Sequence, residues 1–135
     1  MTEFTIPKHG EICWRELSTK NVEAAKKFYS GLFGWNLQKS EISELDYTEI
    51  HSNGKAVGGM LEITKEWCED WEKIPPRWMT YIAVDDIDAT IEKIKTHGGS
   101  VCVEPFDAPK IGRISVVNDP AGATFSIIQF HGNHS

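Results

Sequence analysis

The chain predicts an α+β domain built from two β-α-β-β-β modules. Three observations predict it: a segment that returns at a fixed offset of 65 residues, capped helical periodicity inside each copy, and turn chemistry between the short apolar runs that follow. The first copy runs WRELSTKNVEAAKKFYSGLFGW from Trp14, and the second runs MTYIAVDDIDATIEKIKTHGGS from Met79. Leu17 pairs with Ile82, Asn21 with Asp86, Val22 with Ile87, Ala24 with Ala89, and Gly34 with Gly99. At 135 residues the chain is the size of one ordinary domain, enough to bury a core without disulfide or metal staples. The expected organisation is a single domain, 1–135, with module one over 9–63, a linker over 64–77 and module two over 78–130.

Each copy opens on a strand, around Trp14 and around Met79. In the first copy Asn21 is placed as an N-cap, since its short side chain can accept from an orphan backbone N–H. Val22, Ala25, Tyr29, Leu32 and Phe33 recur at helical spacing and define one apolar face. Glu23 and Lys27 sit four apart on the exposed side, in the favourable order. Gly34 fits the left-handed position that ends many helices. Trp35 to Ile42, Tyr47 to His51 and Ala56 to Ile63 read as strands, and Asn53-Gly54 is a hairpin turn between the last two.

In the second copy Asp86 caps, and Asp88 adds negative charge near the positive end of the helix. Ile87, Ile91 and Ile94 form the buried stripe. Lys95 and His97 fall in the last turn, and Gly98 and Gly99 close it. Ser100 to Val103, Arg113 to Val117 and Ala123 to Phe130 read as strands. Asp119-Pro120-Ala121-Gly122 has the composition of a tight turn. Between the copies, Pro75-Pro76 cannot continue a helix or enter a central strand. Trp67 and Trp71, four apart, suggest one or two helical turns. That segment is either a linker packed onto the domain or a lid or dimer contact.

Composition excludes several classes of function. A net charge of −6 argues against nucleic acid, because phosphate binding needs clustered Lys and Arg. No stretch approaches the ~18 apolar residues of a membrane helix, and MTEFTIPKHG lacks the apolar segment of a signal peptide. Cys13, Cys68 and Cys102 are odd in number and show no CxxC spacing, so free thiols in the cytoplasm are expected.

The segments HGEICWREL, FYSGLFGW, NGKAVGGM, PPRWMTYIAVDDID and GRISVVNDPAGATFSI, in that order, resemble the vicinal oxygen chelate superfamily, also called the glyoxalase/bleomycin resistance/dioxygenase superfamily. The resemblance covers about His9 to Phe130, and FYSGLFGW and NDPAGATFSI are its most specific parts. It implies that the two modules form a cup-shaped, eight-stranded mixed sheet with the helices on the convex side. It also implies a cavity in which enzymes of the superfamily hold one divalent metal as Lewis acid for isomerisation, ring cleavage, epimerisation or thiol transfer. Other members sequester a drug and use no metal. Homodimers are common for this architecture, although two modules in one chain could close the cup alone.

The superfamily's metal ligands come from the first and last strand of each module and are His, Glu or Gln. Carried over residue by residue, those positions fall on Trp14, Gly58 (give or take one), Met79 and Ser126. None is a normal ligand for a hard or borderline divalent cation. The expectation is therefore no metal and no cofactor.

Strand alternation extends the list. With Trp14 inward, Ile12, Glu16 and Ser18 share its face and Leu17 points to the helix layer. With Met79 inward, Tyr81 follows, and Ile82 and Val84 pack on helices. With Ser126 inward, Thr124 and Ile128 follow, and Phe125 and Ile127 go to the core. The expected ligand-binding set is Trp14, Glu16, Met79, Tyr81, Arg113, Thr124 and Ser126, a mixed aromatic and hydrogen-bonding pocket suited to a flat or polar organic ligand. Glu16 is the catalytic candidate: it could be a general base if burial raised its pKa, or else a rim residue, solvated or paired with Arg113. His9, His51, His97, His131 and His134 form no ligand set and read as surface or structural residues. Cys13 alternates to the helix side. The functional expectation is a small-molecule-binding protein without the usual metal, or alternatively a lyase, isomerase or dioxygenase-type enzyme acting in the same cavity. Its partner is then a small organic ligand, with no nucleic acid, no membrane and a homodimer as an option.

Overall fold

Polar caps fix where the helices begin. Asn21 accepts from the Ala24 amide at 3.0 Å, and Asp86 accepts from the Ala89 amide at 3.1 Å. These short side chains satisfy donors that the first helical turn leaves without a backbone partner. The helices that follow are α1, Val22–Phe33, and α2, Ile87–Thr96. Gly34 ends α1 in the left-handed conformation, its amide returning to Ser30 O at 2.9 Å. The structure is a computed structural model and describes residues 6–40, 47–65, 71–108 and 111–131.

Around these helices the described residues form eight strands: β1 Ile12–Thr19, β2 Asn36–Lys39, β3 Thr48–Ser52, β4 Lys55–Glu62, β5 Arg77–Ala83, β6 Ser100–Ala108, β7 Gly112–Asn118 and β8 Thr124–Phe130. The order along the chain is β-α-β-β-β twice, as the repeat predicts, and the fold is α+β. No helix among the described residues is long and apolar enough to cross a membrane.

By contacts the chain divides into two compact units, Trp14–Met79 on one hand and Met1–Cys13 with Thr80–Ser135 on the other. The cut falls inside β1 and β5 rather than in the linker. The reason is local: Gly10 N donates to Ala83 O at 2.7 Å and Ala83 N to Glu11 O at 2.9 Å, so the start of β1 is tied to the end of β5.

In the Trp14–Met79 unit the strand order is β2-β3-β4-β1. β2, β3 and β4 pair antiparallel, and β4 runs parallel to β1. Asn53 and Gly54 both adopt positive φ, 54° and 78°, which is what a two-residue hairpin between β3 and β4 requires. Leu17, Ile50 and Met60 make the core beneath α1, with Ala25, Tyr29, Trp35 and Leu37 packed against it. The apolar face of α1 is narrower than its periodicity suggests. Ala25 and Tyr29 pack, whereas Leu32 and Phe33 stay exposed in the last turn, where Phe33 stacks on Tyr29 and lies tilted against Trp35.

In the other unit the order is β5-β8-β7-β6, with β5 parallel to β8 and the rest antiparallel. Val84, Ile87, Ile91, Val117 and Ile127 form the core under α2, joined by Ile94, Val101 and Phe125. Gly122 N donates to Asp119 O at 3.0 Å, and the Asp119 carboxylate accepts from the Ala121 and Ala123 amides, which closes the expected turn.

Two strands depart from the expected limits. β2 ends at Lys39, and the rest of the strand expected to Ile42 lies outside the described residues. β6 runs on to Ala108 through Pro105; it is the outer strand of its unit, where a missing amide costs no ladder bond, and register shifts after Val101 and Val103 absorb the change. The linker holds a 3-10 turn, Trp71–Lys73, and Trp67 lies outside the described residues.

The two helices give a contrast that urea unfolding can check. Ile87 is fully buried, so Ile87→Ala is expected to cost about 2–5 kcal/mol. Phe28 on α1 is 59% exposed, so Phe28→Ala is expected to change stability by no more than about 1 kcal/mol.

Candidate functional site

In the Trp14–Met79 unit the pairing register separates two faces. Leu17 opposes Met60, and both lie under α1. One residue back, Glu16 opposes Gly59, and Gly59 opposes Glu49 on β3. Directly opposed residues in a ladder share a face, so Glu16, Gly59 and Glu49 form a row on the side away from α1. Trp14 and Ser18 belong to that face by alternation. Glu16 is buried, at 5% exposure, and Ser18 is buried as well.

Three residues that sequence reasoning did not assign complete this face. Tyr47, just ahead of β3, accepts a hydrogen bond from Trp14 Nε1 at 2.8 Å. Its hydroxyl and ring edge fill the space that a Cβ at Gly59 would need. Glu49 holds His51 through Oε1 to Nε2 at 3.0 Å, both side chains half-buried. Glu49 and His51 are two apart on β3, so strand alternation puts them on one face. The only sequence signal for this trio was the strand expected over Tyr47 to His51, which leaves open which face is which.

Met79, also in this unit, is buried at 4% exposure, with Arg77 Nε against its sulfur at 3.1 Å. Trp78 points the other way and meets Tyr29 and Trp35 edge-on. Gly58 opposes Arg15, so it lies on the α1 side; the glycine on the face of Glu16 is Gly59.

In the unit containing Thr80–Ser135, Tyr81 opposes Ser126 and Ile82 opposes Ile127. Ile127, Phe125 and Val117 pack on α2, so Tyr81, Ser126 and Thr124 share the opposite face. Ser126 is 1% exposed. Thr124 Oγ1 donates to Asn118 Oδ1 at 2.6 Å.

Arg113 has to be moved off this face. It opposes Gln129, in step with Ser115 opposite Ile127, and therefore lies on the α2 side. There it pairs with Asp88 of α2 at 3.0 Å and Asp107 of β6 at 3.7 Å. The pairing considered for it with Glu16 is replaced by these two, because strand alternation puts Arg113 beside the N-terminal turn of α2. Glu16 is correspondingly not a solvated rim residue.

His9 and His97 hold backbone groups. His9 Nδ1 accepts from the Asp85 amide at 3.0 Å, in an open hollow of about 330 Å³ near the start of α2. His97 Nδ1 lies 2.7 Å from Lys93 O at the end of α2. His134 lies outside the described residues.

At the positions where the resemblance expects chelating groups stand an indole, a glycine, a thioether and a hydroxyl: Trp14, Gly58, Met79 and Ser126. An indole N–H only donates, and in Trp14 it is already committed to Tyr47. Among the described residues no group of three or more His, Cys, Asp and Glu comes together that could hold a metal ion. This donor set does not fit a divalent cation.

The Glyoxalase/Bleomycin resistance protein/Dioxygenase superfamily model matches residues 12–127. A candidate glyoxylase of Mycobacterium bovis is 37% identical over 124 residues, 90% of this chain and 46% of that protein, so the chain spans about half the length of that relative. A Vibrio cholerae protein named "probable lactoylglutathione lyase" is 32% identical over 126 residues, 88% of this chain and 90% of its own length. Among solved structures, methylmalonyl-CoA epimerase from Mycobacterium tuberculosis shares the fold at a TM-score of 0.59 and 14% identity, covering 89% of this chain and 87% of that one.

The reassignment of Arg113 has a measurable consequence. Its side chain is 36% exposed and its partners are more so, so Arg113→Ala is expected to lower stability by no more than about 1 kcal/mol in urea. The variant should leave ligand affinity unchanged, which a binding titration reads directly.

Proposed function

Because the chain belongs to the glyoxalase/bleomycin resistance protein/dioxygenase superfamily, we propose that it is a small-molecule-binding protein whose ligand lies on the Trp14, Glu16 and Gly59 face, without the superfamily's usual divalent metal. The observation that carries the proposal is a buried carboxylate, Glu16, beside an indole on a face away from the helix layer. Trp14 supplies apolar ring surface, and a carboxylate supplies hydrogen-bond acceptors. A planar organic molecule bearing a hydroxyl or amine matches both. The donor chemistry at Trp14, Gly58, Met79 and Ser126 supports the metal-free part of the reading. A cytoplasmic setting, with Cys13 and Cys102 as free thiols, and a homodimer as an option belong to the same proposal.

A second reading is an enzyme of the lyase or isomerase type, with Glu16 taking a proton from carbon in the bound substrate. Two observations favour it: Glu16 is buried rather than at a rim, and the Vibrio cholerae relative named for lactoylglutathione lyase matches over nearly its whole length. A carboxylate within hydrogen-bond reach of the substrate proton is what general-base catalysis needs.

The two readings separate in one set of measurements. 2-Naphthol, a planar ring with one donor, is expected to bind saturably and to quench tryptophan fluorescence. Glu16→Gln should weaken it about tenfold or more, as loss of a hydrogen bond to a charged group does. Absence of saturable binding would remove the first reading. Turnover of S-lactoylglutathione that survives dialysis against a chelator and disappears in Glu16→Gln would establish the second.

A further inference from the structure

The face described above is organised around Gly59. Gly59 is opposed on one side by Glu16 and on the other by Glu49, so the glycine leaves a slot between two carboxylates. Tyr47 occupies that slot: a Cβ on Gly59 would overlap its hydroxyl and ring edge. The Tyr47 backbone is fixed too, because Ser40 N donates to Tyr47 O at 2.8 Å. From this seat the hydroxyl accepts the Trp14 indole N–H at 2.8 Å. A ring held at its backbone, seated on a bare glycine and bonded to an indole has little freedom to move.

We propose that Tyr47 is the positioning residue of this ligand face: seated over Gly59, it fixes the Trp14 indole and bounds the ligand. The proposal rests on reading this face as the binding face and says what kind of ligand it takes. With its N–H spent on Tyr47, Trp14 presents ring surface and offers no donor. Ligand polarity is then read at Glu16, by an acceptor. The ligand class is a planar apolar ring carrying a hydroxyl or protonated amine; a molecule whose polar group is only an acceptor is disfavoured, since it would face a carboxylate without a donor. Tyr47 also keeps ligand out of the slot between Glu16 and Glu49.

The anchor can be tested without any ligand. In protein labelled with 15N, the Trp14 indole signal is identified by its loss in Trp14→Phe. Tyr47→Phe keeps the ring and removes the acceptor; it is expected to move that signal and speed its exchange with solvent, leaving the other indole signals in place. The seat is tested by a double-mutant cycle in urea. Gly59→Ala should lower the unfolding midpoint when residue 47 is Tyr, and should lower it much less in the Tyr47→Ala background. An unmoved Trp14 signal in Tyr47→Phe, or equal losses from Gly59→Ala in both backgrounds, overturns the proposal. For the ligand, Tyr47→Phe is expected to weaken 2-naphthol about three- to tenfold, the worth of one hydrogen bond; unchanged affinity overturns the claim that the fixed indole shapes the site. If wild-type protein does not bind 2-naphthol, the binding reading falls on its own, while the indole signal and the cycle still decide on Tyr47.

Discussion

The constraint on which the rest depends is the in-register parallel pairing of the first and last strand of each module. Leu17 opposes Met60, and Ile82 opposes Ile127. Each pairing closes a module across its helix and two middle strands, and sets one apolar row against that helix. Burying Leu17, Ile50 and Met60 under α1, and Val117 and Ile127 under α2, removes apolar surface from water. A slip of one residue would turn Glu16 into the α1 layer and Leu17 out of it, so the core itself enforces the register.

The same register builds the candidate site without further instruction. Once Leu17 is inside, Glu16 must be on the other face, and its neighbour across the ladder must be Gly59. A side chain at residue 59 would compete with Tyr47 for space. The glycine therefore converts a sheet surface into a seat for an aromatic ring, and the ring in turn holds an indole. Burial of Glu16, the Trp14–Tyr47 bond and the Glu49–His51 pair are consequences of alternation acting on particular side chains.

Shared architecture does not by itself carry shared chemistry. The superfamily is shown by the match over residues 12–127, yet at the positions where its metalloenzymes chelate an ion this chain has Trp14, Gly58, Met79 and Ser126. Trp14, Met79 and Ser126 lie on the face away from the helices, whereas Gly58 lies on the α1 side. On the proposed reading the ligand meets a carboxylate and aromatic rings instead.

The sequence by itself determined the duplicated module, both helix caps, the Asn53-Gly54 hairpin, the Asp119–Gly122 turn and the faces of Leu17, Val84, Phe125 and Ile127. These are local rules: a cap needs an oxygen three residues before an orphan amide, a tight hairpin needs positive φ, and a strand alternates with period two. Only the tertiary structure decided that Arg113 meets Asp88 on α2, that β6 passes through Pro105 at a sheet edge, and that Tyr47 sits on Gly59. Each of those depends on which strand lies next to which and at what offset. That information is set by long-range burial, which no short window of sequence contains.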